Sequence, residues 1–234
     1  MLVTDFLRQS AQKYPAKPAV WYKDEWMAYD ELDMRSNQLA SFLIETGVKR
    51  GDRIATLCEN SFTYIISYFA TLKAGAIAVP LNTDITADLL TYYLNHSGAK
   101  ALITNSRFVN FMLTAVQETP ELDRIIFEHG DLSCFTGQLN CKASRLQDIF
   151  DNAISEIPSV RTIDLDPATI VYTSGSTGDP KGVLLSHLNI VSNTKSIVEY
   201  LQLAADDRIM VTLPFYYIYG QSLLLTHFAV SGSV

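Results

Sequence analysis

Between residues 6 and 127 the chain alternates short apolar runs with amphipathic helical stretches, and that rhythm narrows the fold more than any other feature. Helical faces follow from apolar residues spaced three and four apart: Leu2, Phe6, Leu7 and Ala11 over residues 2–14, and Leu32, Leu39, Ala40 and Leu43 over 29–46. A third face, Ile65, Ile66, Phe69 and Leu72, follows a cap at Asn60 or Ser61. A fourth, Leu89, Leu90, Tyr93 and Leu94, follows a cap at Thr86, and residues 106–117 supply another helix. Between them, residues 53–58, 76–79, 101–104 and 124–127 are short and apolar, as buried strands are. Residues 19–22 and 26–28 read as a small hairpin around Lys23-Asp24-Glu25. This order predicts an α/β fold: parallel-rich β-sheets covered by helices in a layered αβα arrangement.

Residues 128–165 break the rhythm. Gly130, Ser133, Gly137, Asn140 and Pro158 predict an irregular excursion. A boundary near Asp164-Leu165-Asp166-Pro167 divides a first α/β subdomain, 1–165, from the start of a second, 166–234. The second is expected to hold a hairpin, a helix over 187–202, a strand over Ile209–Leu213 and a helix over 218–230.

The 234 residues are 48% hydrophobic with net charge −7, enough for a packed core and unsuited to general nucleic-acid binding. Cys58, Cys134 and Cys141 form no C-x-x-C pair, and the first residues lack the basic start and apolar core of a secretory signal. A cytoplasmic protein with reduced thiols is expected. The most apolar stretch, Phe62–Leu81, carries Lys73, Gly75 and Pro80 and divides into a helix and a strand, so no membrane span is predicted. His96, His129, His187 and His227 are scattered, which predicts no metal cluster.

The chemistry-bearing stretch is Tyr172-Thr173-Ser174-Gly175-Ser176-Thr177-Gly178-Asp179-Pro180-Lys181-Gly182, set between two apolar, extended runs. Thr173, Ser174, Ser176 and Thr177 offer four hydroxyls within five positions. Gly175, Gly178 and Gly182 permit positive φ and close approach of backbone N–H groups, and Lys181 adds a mobile positive charge. Such a donor set suits an anion with many oxygens, best a polyphosphate. It is not a Walker A loop, because Pro180 precedes Lys181 and Gly182 follows it. Nor does it lead into a helix; strand joins strand.

Residues 172–182 match at every fixed place the pattern Y-T-S-G-[ST]-T-G-x-P-K-G, and so resemble the phosphate loop of the adenylate-forming enzymes. That family includes acyl- and aryl-CoA synthetases, peptide-synthetase adenylation domains and firefly luciferase. Two further stretches resemble its core motifs: Tyr29-Asp30-Glu31-Leu32 and Leu72-Lys73-Ala74-Gly75 through Val79-Pro80. Ala28 stands where the family often has a hydroxyl N-cap, and Asp30 and Glu31 still complement the helix start. The resemblance implies ATP and Mg2+ as cofactors, a carboxylic acid as substrate, and a thiol acceptor, CoA or the phosphopantetheine of an acyl-carrier protein. It implies Lys181 and Thr177 as catalytic groups. Thr173, Ser174, Gly175, Ser176, Thr177, Gly178, Lys181 and Gly182 would form the nucleotide cradle.

Three other features bear on a site. Ser186-His187-Leu188-Asn189 resembles the family's S-H-x-N; Ser186 is a natural N-cap, and His187 is expected to be structural rather than a prop behind the loop. His96, in a last helical turn, is expected to serve the helix terminus rather than a ligand. Pro214-Phe215-Tyr216-Tyr217-Ile218-Tyr219-Gly220 resembles the acyl-CoA synthetase segment P-[LF]-[FY]-H-x-x-G, with Tyr217 at the histidine place. Tyr216, Tyr217 and Gly220 are therefore expected at the substrate, with a phenol that donates a hydrogen bond but carries no positive charge. The segment holds no acid, unlike peptide-synthetase domains that bind an α-amine. The family's later motifs, including Y-G-x-T-E and a C-terminal lysine, do not occur. The chain therefore reads as the front part of a longer ligase, inactive alone.

Overall fold

The computed structural model describes residues 1–130, 139–156, 158–173 and 180–234. α1 (Thr4–Lys13) buries Phe6, Leu7 and Ser10. β1 (Pro18–Tyr22) and β2 (Glu25–Ala28) form an antiparallel hairpin in register Tyr22↔Glu25. Lys23 (φ 49°) and Asp24 (φ 64°) make its two-residue turn, the twist that joins right-handed strands closely; Glu25, expected in the turn, begins β2. α2 (Tyr29–Glu45) starts without a side-chain cap at Ala28, and Gly47 (φ 103°) lies just past its end.

β3 (Arg53–Leu57) leads to α3 (Phe62–Lys73). Ser61 caps α3, its hydroxyl accepting the Tyr64 N–H at 3.2 Å. Asn60 is thereby free for another task described below. β4 (Ile77–Pro80) precedes α4 (Ala87–Ser97), capped by Thr86 and closed by left-handed Gly98. β5 (Ala99–Thr104), a 3-10 turn (Ser106–Phe108), α5 (Val109–Gln117) and β6 (Arg124–Phe127) follow.

Where an irregular excursion was expected, β7 (Lys142–Arg145) pairs parallel with β6 and leads into α6 (Leu146–Asn152). β7 reads Lys-Ala-Ser-Arg because it is an edge strand, exposed at both ends, with no apolar run to betray it. β8 (Pro167–Thr173) and β9 (Lys181–Ser186) follow, then α7 (His187–Leu201) and α8 (Ile218–Ala229). The described strands form a seven-stranded sheet ordered β7-β6-β5-β3-β4-β8-β9, parallel except for β9. It runs across residue 165, since β8 lies beside β4 through Ala78↔Thr169. The strand expected over Ile209–Leu213 does not form. Arg208 makes one isolated bridge to Ser233 and the Ile209 N–H reaches the Ser233 carbonyl, but no described strand lies alongside to continue the ladder.

Strand alternation supplies a core on each face. Ile54, Ile103 and Ile126 enter the core under α1, α2, α3 and α8, while Ala55, Leu102 and Ile125 enter the core under α4 and α5. The layered αβα arrangement is thus present. α2 and α3 are also tied by Lys73, whose side chain is 6% exposed. Its ammonium donates to Asp33 Oδ1, Ser36 Oγ and Asn37 Oδ1, each at 2.7 Å. Burial draws Lys73 down to about 8 against the pull of Asp33.

The start of α7 carries a full capping box: Ser186 Oγ accepts the Asn189 N–H and Asn189 Oδ1 accepts the Ser186 N–H. His187 is 1% exposed, and its Nδ1 accepts the Val3 N–H at 3.2 Å. The imidazole is therefore neutral, a tie between α7 and the N-terminus, as a structural role required. Burial pushes its pKa down to about 4. The unfolded chain then binds one more proton than the native chain between that value and its ordinary value. Stability from this group is full above about pH 6.5 and is lost as pH falls toward 4, on the order of 3 kcal/mol across the window. Urea midpoints should fall more steeply from pH 7 to pH 5 in the native sequence than in His187→Asn. Equal slopes would remove His187 from the acid response.

Candidate functional site

The hydroxyl- and glycine-rich loop is the connection of the β8–β9 hairpin. Thr173, the last residue of β8, pairs with Lys181, the first of β9, and Tyr172 pairs with Gly182. Both Thr173 and Lys181 are exposed at the base of the loop. Ser174, Gly175, Ser176, Thr177 and Gly178 lie outside the described residues. Gly182 is not in the left-handed region; what it provides is closeness. A Cβ there would sit 2.9 Å from Ile170 Cγ2 and 3.5 Å from the Tyr172 ring. Glycine at this place leaves room for the Ile170 side chain, with the Tyr172 ring at ordinary contact distance.

α4 packs against the same hairpin. The Tyr92 hydroxyl donates to the Pro180 carbonyl at 3.0 Å. His96 Nδ1 and the Tyr172 hydroxyl share a 2.8 Å hydrogen bond, its donor set by the imidazole tautomer. The Tyr93 ring lies 4.3 Å from that of Tyr172, and Tyr92 stacks on His96 at 5.3 Å. Burial raises Tyr172 to about 12, so it stays a neutral phenol. His96 contributes a side-chain contact to β8, beyond its place in a last helical turn.

Residues 7–234 match the sequence profile of a family described as AMP-binding enzyme. The chain belongs to that family. Among its relatives, gramicidin S synthase 2 of Aneurinibacillus migulanus is 30% identical over 210 residues, covering 90% of this chain and 4% of the other. Long-chain-fatty-acid–CoA ligase FadD13 of Mycobacterium tuberculosis (strain ATCC 25618 / H37Rv) is 29% identical, covering 83% of this chain and 36% of its own. In structure, the chain resembles the anthranilate CoA ligase AuaEII in complex with anthranoyl-AMP: TM-score 0.91, 24% identity, all of this chain and 44% of that one. It also resembles the inhibitor-bound N-terminal domain of FACL13 from Mycobacterium tuberculosis: TM-score 0.84, 25% identity, 99% of this chain and 56% of that one. The chain thus spans less than half the length of the curated relatives named. Its fold is that of the N-terminal domains of adenylate-forming enzymes.

In this member of the family the tyrosine segment forms the turn that starts α8. The Tyr217 N–H donates to the Pro214 carbonyl at 3.1 Å. Asn60, released from capping α3, holds the segment by both amide atoms: Nδ2 donates to the Leu213 carbonyl at 2.9 Å and Oδ1 accepts the Phe215 N–H at 2.7 Å. Tyr64 adds a hydrogen bond to the Phe215 carbonyl at 2.9 Å. Tyr216 is buried and Tyr217 is half exposed, their rings 4.6 Å apart. Burial raises the Tyr93 phenol. Its ring packs on Tyr172 of the loop stem, while the tyrosine segment is held separately by Asn60 and Tyr64. Gly220 has a packing reason: a Cβ there would lie 2.2 Å from the Pro214 carbonyl oxygen.

Two cavities, of about 470 and 650 Å3, are lined by neither the loop stem nor Tyr216 and Tyr217. Among the described residues no three His, Cys, Asp or Glu side chains gather to hold a metal, and no helix is long and apolar enough to cross a membrane. Sequence reasoning missed the role of Tyr92, Tyr93 and His96. Their signal was present as three rings within five positions of one helix, read only as a buried face and a terminus.

Proposed function

We propose that this chain is the front part of an ATP-dependent carboxylic acid–thiol ligase. The substrate carboxylate attacks the α-phosphorus of ATP, forming an acyl-adenylate and releasing pyrophosphate. A thiol then attacks the acyl carbon and releases AMP, leaving an acyl thioester, with CoA as the acceptor. The observation that carries this reading is the hairpin base: Thr173 and Lys181 face each other across an antiparallel pair, exposed, at the mouth of the hydroxyl-rich loop. Ser174, Ser176 and Thr177 would join them around the β- and γ-phosphates, where positioning and charge neutralisation carry the catalysis. The described donors at the stem are a hydroxyl and an ammonium, and among the described residues no cluster of carboxylates gathers to hold a metal. Mg2+ would therefore be held chiefly by the phosphates, supplying positive charge at their oxygens.

Tyr217, half exposed beside Tyr216, would donate its phenol hydrogen to the substrate carboxylate. The complex of the structurally similar AuaEII with anthranoyl-AMP supports an acyl-adenylate as the intermediate. The 234 residues alone are inactive as a ligase in this reading. A cytoplasmic location accords with reduced Cys58 and Cys141.

ATP–pyrophosphate exchange by the full-length protein across a panel of carboxylic acids tests the first half-reaction. Exchange with at least one acid is expected; ATP binding without exchange for any acid would favour a non-catalytic nucleotide-binding module. A second reading rests on the match to gramicidin S synthase 2, whose likeness covers 90% of this chain. In it, the acyl group passes to a carrier protein's phosphopantetheine. Comparing CoA with a loaded carrier protein as acceptor separates the two.

A further inference from the structure

We propose that α4 positions the phosphate loop, with Tyr92 and His96 as positioning residues that hold its two stems. The inference rests on reading the loop as a phosphate clamp. The hairpin lies at the end of the sheet, where β9 has β8 as its one strand neighbour among the described residues. β4 pairs with β8 at Ala78↔Thr169, and the β8–β9 ladder runs on past that point to Thr173↔Lys181 as a two-stranded ribbon, which twists freely. Something outside the hairpin must fix the direction in which Thr173 and Lys181 point.

α4 does so from one face. Tyr92 takes the Pro180 carbonyl, the only hydrogen-bonding group a proline owns, one residue before Lys181. His96 takes the Tyr172 hydroxyl, one residue before Thr173. The Tyr172 ring also packs against that of Tyr93 on the same helix, their centroids 4.3 Å apart. Each stem is thus gripped at the residue adjoining its phosphate-facing donor. Since neighbouring strand residues face opposite ways, gripping Tyr172 orients Thr173 outward. The clasp makes no contact with substrate itself; it fixes the stems in advance, so that less freedom is lost there when an anion binds.

Tyr92→Phe and Tyr172→Phe remove one hydroxyl each and keep the rings. Both are to be made in the full-length protein and read in two ways. Hydrogen exchange of the peptide spanning residues 168–186 is expected to quicken about tenfold in each variant, as for one lost hydrogen bond, with Tm within about 2 °C of the parent. In ATP–pyrophosphate exchange, KM for ATP should rise about tenfold while KM for the acid holds, and the double variant should be no worse than about the poorer single. Unchanged amide exchange in both variants overturns the clasp, whatever the enzyme assay shows. Quickened exchange with an unchanged KM for ATP overturns its positioning role. If the parent exchanges pyrophosphate with no acid, the ligase reading fails, and the amide measurement still decides whether α4 holds the stems.

Discussion

Lys181→Ala is expected to lower ATP–pyrophosphate exchange by the full-length protein on the order of 100-fold to 1,000-fold, the loss typical when one preorganised donor to a developing anion is removed. The geometry makes the effect specific. Lys181 begins β9 and is paired in register with Thr173, so its side chain starts from a fixed backbone position beside the loop. The next pair, Tyr172 and Gly182, continues the same ladder, so the backbone at Lys181 is held in register. Lys181→Arg keeps the charge but replaces a compact ammonium by a planar fork, and should recover only part of the activity. KM for the carboxylic acid should hold in both variants. Activity of Lys181→Ala within about threefold of the parent would remove the lysine from phosphate chemistry.

Lys73→Met is expected to cost about 3–5 kcal/mol of stability, the largest single loss foreseen for a group remote from the loop. The methionine fills much of the same volume, so packing alone would change little. The loss comes from what the ammonium leaves behind. Asp33 Oδ1, Ser36 Oγ and Asn37 Oδ1 each receive a 2.7 Å hydrogen bond from it, and all three lie on α2 facing α3. Without it a carboxylate and an amide oxygen are left without their donor in a low-dielectric seam. Lys73→Met combined with Asp33→Asn should recover part of the loss, because the orphaned charge is then gone. Urea unfolding of the three proteins measures this; a single variant within about 1 kcal/mol of the parent would show the network to be peripheral.

The alternation of strand and helix was legible because it reports burial, and burial is what the sheet and its two helical layers produce. Caps were legible for a related reason: Ser61, Thr86 and Ser186 act within three residues of themselves, so sequence neighbours are their spatial neighbours. Failures came where the deciding partner is distant. β7 carries no apolar signal, since an edge strand is made by the neighbour it pairs with. The apolar run at residues 209–213 looked like a strand, yet no described strand continues its ladder. The loop was recognised from its residue string, while the grip of α4 on its stems was not. Tyr92 and Pro180 are 88 positions apart, and no periodicity in one helix announces a carbonyl so remote.

The first helix is closed by the far end of the chain. Ser10 donates to the Phe228 carbonyl, the Tyr29 hydroxyl to that of Gly232, and His187 accepts from Val3, across separations of 218, 203 and 184 residues. Such long closures slow the search for the native state. During synthesis, α1 and α2 would leave the ribosome well before the segments that complete their packing, and would wait with apolar surface uncovered. The front of this polypeptide should therefore be chaperone-dependent while it is being made, and should become protease-resistant only once residues 228–232 have emerged.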